Sequence, residues 1–147
     1  MQGVHATSDG SWTPDRLGAE RSDERAYVFR ELWDAGALVV NGTDAPVERV
    51  NPWASIAGMA TGLMPDGGVF NPGHQLTRAE ALAAYTINPA RAALETDRRG
   101  SLEVGKLADI TVVDGDPLTV PDDRLGELRT LMTIVGGTVE YEAQPPE

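Results

Sequence analysis

Apolar positions along the first third of the chain recur at helical spacing: Val28, Leu32 and Ala35 share one face, beside the Phe29 and Trp33 pair. Ser22 is a cap for a helix predicted over about 23–35, and Gly36 fits the position just past its end. The preceding stretch reads as a short strand to about Ala6, then a Gly-, Ser-, Asp- and Pro-containing loop to residue 21. Ala37-Leu-Val-Val40 is then an unbroken apolar run that passes into Asn41-Gly-Thr-Asp44. Such a run suits a parallel strand buried on both faces with polar residues at its C-terminal tip.

Asn51-Pro52 pairs a capping side chain with the first-turn proline, which predicts a helix to about Thr61, ended by Gly62. Thr77-Arg-Ala-Glu80 is a capping box opening a helix through about Thr86. Asn88-Pro89 restarts a shorter helix to about Glu95, because proline cannot continue the first but suits the start of the next. From Gly100 the texture changes. Ile110–Val113 is β-branched and bounded by turns, and Leu131–Val135 leads through Gly136-Gly137 into a returning strand at Thr138–Tyr141. The tail Gln144–Glu147 is expected to fray. The chain thus divides into 1–99, with helices and a parallel-type strand, and 100–147, with short strands. Both parts lack strands. A doubly buried strand needs neighbours on both edges, and a three-stranded sheet is marginal unless one face is covered.

Charge narrows the partners. With 23 acidic against 12 basic residues the formal net charge is −11, which disfavours nucleic acid and anionic membrane surfaces. No cysteine is present, so disulfides, thiolate metal sites and cysteine nucleophiles are excluded, and a cytoplasmic location is the default expectation. No apolar stretch approaches the roughly 20 residues that span a bilayer.

Asp44 is the first candidate for chemistry. A carboxylate at the C-terminal end of a buried strand points toward the face where parallel α/β folds keep their sites; from spacing alone it equally suits capping the Ala45-Pro46 turn. His74, in Asn71-Pro-Gly-His-Gln75, has no second ligand at a helix or turn spacing and reads as a loop histidine. Trp33 and Trp53 read as packing residues, while Trp12 sits on a polar loop without an evident role. Arg21 and Arg25 suit a solvated helix start. Asp114, Asp116, Asp122 and Asp123 lack the alternating ligand spacing of a calcium loop and read as surface charge.

Gln2-Gly-Val-His5, Asp9, Gly42-Thr-Asp-Ala-Pro-Val47, Asn51-Pro52, Leu76-Thr-Arg-Ala-Glu-Ala81, Tyr85-Thr-Ile-Asn88 and Gly100-Ser-Leu-Glu-Val-Gly-Lys-Leu-Ala-Asp-Ile110 occur in one order that resembles the C-terminal portion of amidohydrolase family 3. The resemblance implies an α/β fold: the C-terminal part of a (β/α)8 TIM barrel over 1–99, plus strands of a small composite β-sandwich domain over 100–147. It implies a metal-dependent hydrolase of non-peptide C–N bonds, acting on a small-molecule amide or cyclic amide. A divalent metal, zinc in most of the family, would activate water, with Asp44 as metal-adjacent proton shuttle and His5 as a substrate-binding group. Gly3 stands where the family's Gln-Pro-x-His motif has proline. The family's other metal ligands belong upstream of Met1, so the chain alone is expected to be inactive and to hold no catalytic metal. The alternative is a catalytically inactive fragment that self-associates, as a homo-oligomer, or pairs with a complementary chain.

Overall fold

The computed structural model describes residues 1–144; the rest of the tail expected to fray lies outside the described residues. The elements in chain order are α1 (His5–Ser8), α2 (Thr13–Leu17), α3 (Ala19–Arg25), α4 (Phe29–Asp34), α5 (Pro52–Thr61), α6 (Arg78–Tyr85), α7 (Ile87–Ala92), β1 (Ile110–Val113), α8 (Asp122–Leu125), β2 (Thr130–Val135) and β3 (Thr138–Glu142). The strands form one antiparallel sheet in the order β1-β2-β3, with Ile110 opposite Ile134 and Val135 opposite Thr138. Gly136 and Gly137 turn the hairpin at φ 56° and 84°, the left-handed backbone such a turn requires.

Two helix starts follow the sequence closely. The Asn51 side chain accepts from the Trp53 and Ala54 amides at 3.1 and 3.3 Å, opening α5. At α6 the Thr77 hydroxyl accepts from the Glu80 amide, and the Glu80 carboxylate accepts from the Thr77 amide at 2.8 Å. The same carboxylate pairs with Arg30 of α4, whose guanidinium also donates to Asp34 at 2.9 Å. One side chain therefore caps α6 and ties it to α4.

Elsewhere the structure differs from the sequence reading, for identifiable reasons. The expected strand to Ala6 gives way to α1, because the chain turns at Gly3 and the amides of His5 to Asp9 bond back to carbonyls of residues 2 to 5. The single helix expected over 23–35 is two, α3 and α4, broken at Tyr27, whose φ is 55°. Tertiary bonds hold that break: the Tyr27 hydroxyl donates to Asp9 at 2.7 Å, its ring meets Phe70 edge-on at 5.8 Å, and the Asn71 amide donates to Ala26 O at 3.1 Å. Ser22, the expected cap, lies buried inside α3. Asn88, expected with Pro89 to restart the later helix, lies inside α7, is buried and sends its side-chain amide to Val39 O.

The run Ala37–Val40 forms no strand and is not buried on both faces: Val39 is buried, while Ala37 and Leu38 are exposed. Its backbone groups go to other partners. Val39 O accepts from Asn88 at 2.9 Å, Val40 O from the Met1 amino group, and Gly42 O from the Ser55 hydroxyl at 3.0 Å. The Asn41 amide donates to Ala84 O, and the Gly42 amide to Met1 O, each at 2.9 Å. Because a buried backbone group without a partner is costly, these bonds fix where residues 39–42 lie.

The core gathers Phe29, Ile56, Met59, Phe70, Leu76, Ala81, Ala84 and Leu125 from α4, α5, α6, α8 and the loop between α5 and α6. Helix α5 is its centre and also meets the turn before α1 backbone to backbone. A Cβ on Gly58 would stand 2.3 Å from Gly3 O, and one on Gly3 would stand 2.1 Å from Ser55 O, so only glycine fits either place. No helix among the described residues is long and apolar enough to cross a membrane.

Two outcomes follow. Gly58→Ala should cost roughly 1–3 kcal/mol by urea unfolding, the scale of overpacking, whereas Gly42→Ala, whose added Cβ meets open space, should be nearly neutral. The Arg30 hydrogen bond, helped by Thr77, holds the Glu80 carboxyl down from its ordinary 4.5 to about 2. A depressed carboxylate stabilises the fold fully above its unfolded value, and that contribution is lost as pH falls from 4.5 toward 2. Glu80→Gln should therefore cost about 1.5–3 kcal/mol at pH 7, and its stability should fall less than the wild type's across that acid window.

Candidate functional site

Asp44 follows the 37–42 segment and takes a left-handed backbone, φ 56°, which a short polar side chain tolerates better than most. The turn after it is closed by backbone, with the Val47 amide donating to Asp44 O at 2.8 Å. The carboxylate is not spent on that turn. It is half-exposed, and its Oδ2 faces His5 Nε2 at 3.6 Å, just beyond hydrogen-bond reach. His5 sits in the first turn of α1, and its Nε2 is buried without a hydrogen-bond partner. An orphaned buried imidazole nitrogen is uncommon in folded proteins and marks a group available to something else.

The neighbouring residues are arranged around this pair. Asn41, three residues before Asp44, accepts from the Gly3 amide at 2.8 Å, two residues before His5, and donates to Ser55 O at 3.1 Å. Burial pushes the Tyr85 phenol, at the end of α6, up from its ordinary value, and the Thr43 side chain partly offsets that push. The segment carrying Asp44, the turn carrying His5 and the helices α5 and α6 are thereby joined through polar contacts.

A family profile described as the amidohydrolase family matches residues 1–141. The chain belongs to that family. Relatives at comparable similarity include the N-substituted formamide deformylase of Arthrobacter pascens, 33% identical over 129 residues that cover 85% of this chain and 23% of that protein. The imidazolonepropionase of Bacteroides thetaiotaomicron is 32% identical over 108 residues, covering 74% of this chain and 24% of that protein. Among solved structures, an uncharacterized metal-dependent hydrolase from Pyrococcus horikoshii OT3 superimposes with a TM-score of 0.71 at 30% identity, covering 85% of this chain and 26% of that one. This amidohydrolase chain spans about a quarter of the length of the curated relatives it matches.

The other candidate residues lie apart from the His5–Asp44 pair. His74 Nδ1 is 3.8 Å from Glu31, and its carbonyl receives the Arg30 amide, so it braces α4. Trp33 and Trp53 pack against the core; Trp12 remains half-exposed at the start of α2; Arg21 and Arg25 are exposed. The acidic loop is bound internally: Asp114 accepts from Arg129 at 2.8 and 2.9 Å, Asp116 accepts from Leu118 and Thr119 at 2.9 Å, and Asp122 pairs with Arg78 at 2.5 Å.

A cleft of about 900 Å³ opens between α5–α7 and the sheet, lined by residues including Trp53, Ile56, Tyr85, Leu107 and Ile110. A hollow of about 230 Å³ lies between α1 and Met64–Asp66. Neither is lined by Asp44 or His5. Sequence reading missed Asn41, Ser55 and Asn88 as buried polar residues. The available signal was Asn41 itself, a polar side chain closing an apolar run, which requires a buried partner once the run packs.

For a divalent metal the donor set is partial. His5 Nε2 and Asp44 Oδ2 face one another as two suitable donors, but among the described residues no three His, Cys, Asp or Glu side chains gather closely enough to hold an ion, and a tetrahedral zinc site takes three or four. The purified 147-residue chain should accordingly keep well under one equivalent of zinc after dialysis into metal-free buffer, as measured by mass spectrometry of the metal. A full retained equivalent would mean that the chain completes the centre with its own side chains.

Proposed function

We propose that this chain contributes the end of a (β/α)8 barrel, residues 1–99, and strands of a small β-sandwich, residues 100–147, to a metal-dependent hydrolase of non-peptide C–N bonds. Its substrates are small amides or cyclic amides. The observation that carries the proposal is the facing pair of His5 Nε2 and Asp44 Oδ2, set within a family match over residues 1–141. The relatives named for formamide and imidazolone substrates support the bond type, and the structural relative titled a metal-dependent hydrolase supports the metal.

In this reading Asp44 would help to hold the ion, and its carboxylate would accept a proton from water and return it to the departing nitrogen. Half-exposure suits that task, because the carboxylate must reach both water and substrate. His5, with an unpartnered buried nitrogen, contacts the substrate and helps orient it. A bound divalent ion, zinc by family chemistry, would supply Lewis acidity and bring the acidity of water toward neutrality.

A second reading is favoured by exposed apolar side chains at Leu38, Val47, Val50, Leu102 and Val104: the chain is catalytically silent and associates with itself or with a complementary chain. Assay of the gene product as the cell makes it, against N-formyl amines and cyclic amides, separates the two. Asp44→Asn should lower kcat by about 10²–10⁴-fold with a much smaller change in KM, as expected for loss of a proton-transfer group. Retention of kcat in that variant would refute the shuttle. Absence of hydrolysis, together with a dimeric or larger mass in light scattering, would favour the second reading.

A further inference from the structure

We propose that Asn41 is a positioning residue that sets the separation between His5 and Asp44. The inference rests on the catalytic reading of that pair, but the geometry behind it stands by itself. His5 Nε2 has no hydrogen-bond partner, and its 3.6 Å approach to Asp44 is not a hydrogen bond, so the two side chains do not hold one another. The backbones that carry them must set the distance.

Asn41 joins those backbones. Its Oδ1 accepts from the amide of Gly3, in the turn that launches His5, and its own backbone leads three residues on to Asp44. Its Nδ2 donates to Ser55 O, so both segments are referenced to α5, the central helix of the core. Among the described residues no other side chain hydrogen-bonds across from residues 37–47 to the turn before His5. The joint has little play: Asn41 is 6% exposed, and a Cβ on Gly3 would meet Ser55 O at 2.1 Å. Ser55, fully buried, adds a second tie through its hydroxyl to Gly42 O, two residues before Asp44. A small displacement of a reacting group costs rate out of proportion to the energy of the contact that held it, and about 1 Å can cost 10²-fold.

The test compares Asn41→Ala with Glu80→Gln, which weakens the fold through α4 and α6 without touching residues 39–44. On the 147-residue chain, long-range proton–nitrogen spectra of the His5 imidazole should shift in Asn41→Ala and stay at wild-type positions in Glu80→Gln. On the gene product, kcat for the amide substrate should fall by at least about tenfold in Asn41→Ala, with KM within about threefold. Glu80→Gln should keep kcat within about twofold, since separated sites act independently. Should Asn41→Ala fail to fold, Ser55→Ala loses only the Gly42 tie and should move the His5 resonances and kcat in the same directions by smaller amounts. Unmoved His5 resonances in the folded variant overturn the proposal. If the wild type hydrolyses no amide, the catalytic reading fails, and the His5 spectra still decide whether Asn41 holds the pair in place.

Discussion

The backbone of residues 39–42 is buried beside the core, and every polar group that it turns inward must find a partner. Those partners come from Asn88, Ser55, Ala84 and Met1, not from a continuous ladder of neighbouring strands. Each bond is worth only about 1 kcal/mol net, but leaving one unmade costs the full desolvation of the orphaned group. The position of Asp44 and the approach of His5 follow from that requirement. So does the need for glycine at 3 and 58, because the turn and α5 can exchange hydrogen bonds through Asn41 only if their backbones nearly touch.

Around this joint the helices are tied by charge as well as packing. Glu80 caps α6, pairs with Arg30 of α4 and keeps its charge into strong acid, so one carboxylate fixes two helices. Arg78, in the same first turn of that helix, reaches Pro117 O and Asp122 and connects the helical part to the loop carrying α8. Leu125 of that short helix is fully buried in the core beside α5. The region between β1 and β2 is thus anchored on the helices, although the sheet itself leaves an open cleft before them.

Helix starts at Asn51 and Thr77 and the hairpin at Gly136-Gly137 were legible because their causes are local: a side chain reaching its own backbone two or three residues on, or a glycine pair adopting a left-handed turn. Asp44 was a candidate from its place after an apolar run, where capping the next turn suited it equally, whereas His5 was legible only through family resemblance. The break at Tyr27, the turn of Gly3 into α1 and the inward reach of Asn88 were not legible. At Tyr27 and Asn88 the causes are contacts with Asp9 and Val39, distant along the chain, and the Gly3 turn that lets α1 close on its own backbone packs against Ser55 O, equally distant.

The sequence by itself determined the family, the absence of cysteine chemistry, the acidic surface and the helices whose caps are encoded within four residues. Only the tertiary structure decided which polar side chains are buried, where the 37–42 segment finds its hydrogen bonds, and how closely His5 stands to Asp44. The physical reason is range. Capping and turn energies act between neighbours in sequence, whereas the cost of a buried polar group is decided by whichever atoms the folded chain brings beside it.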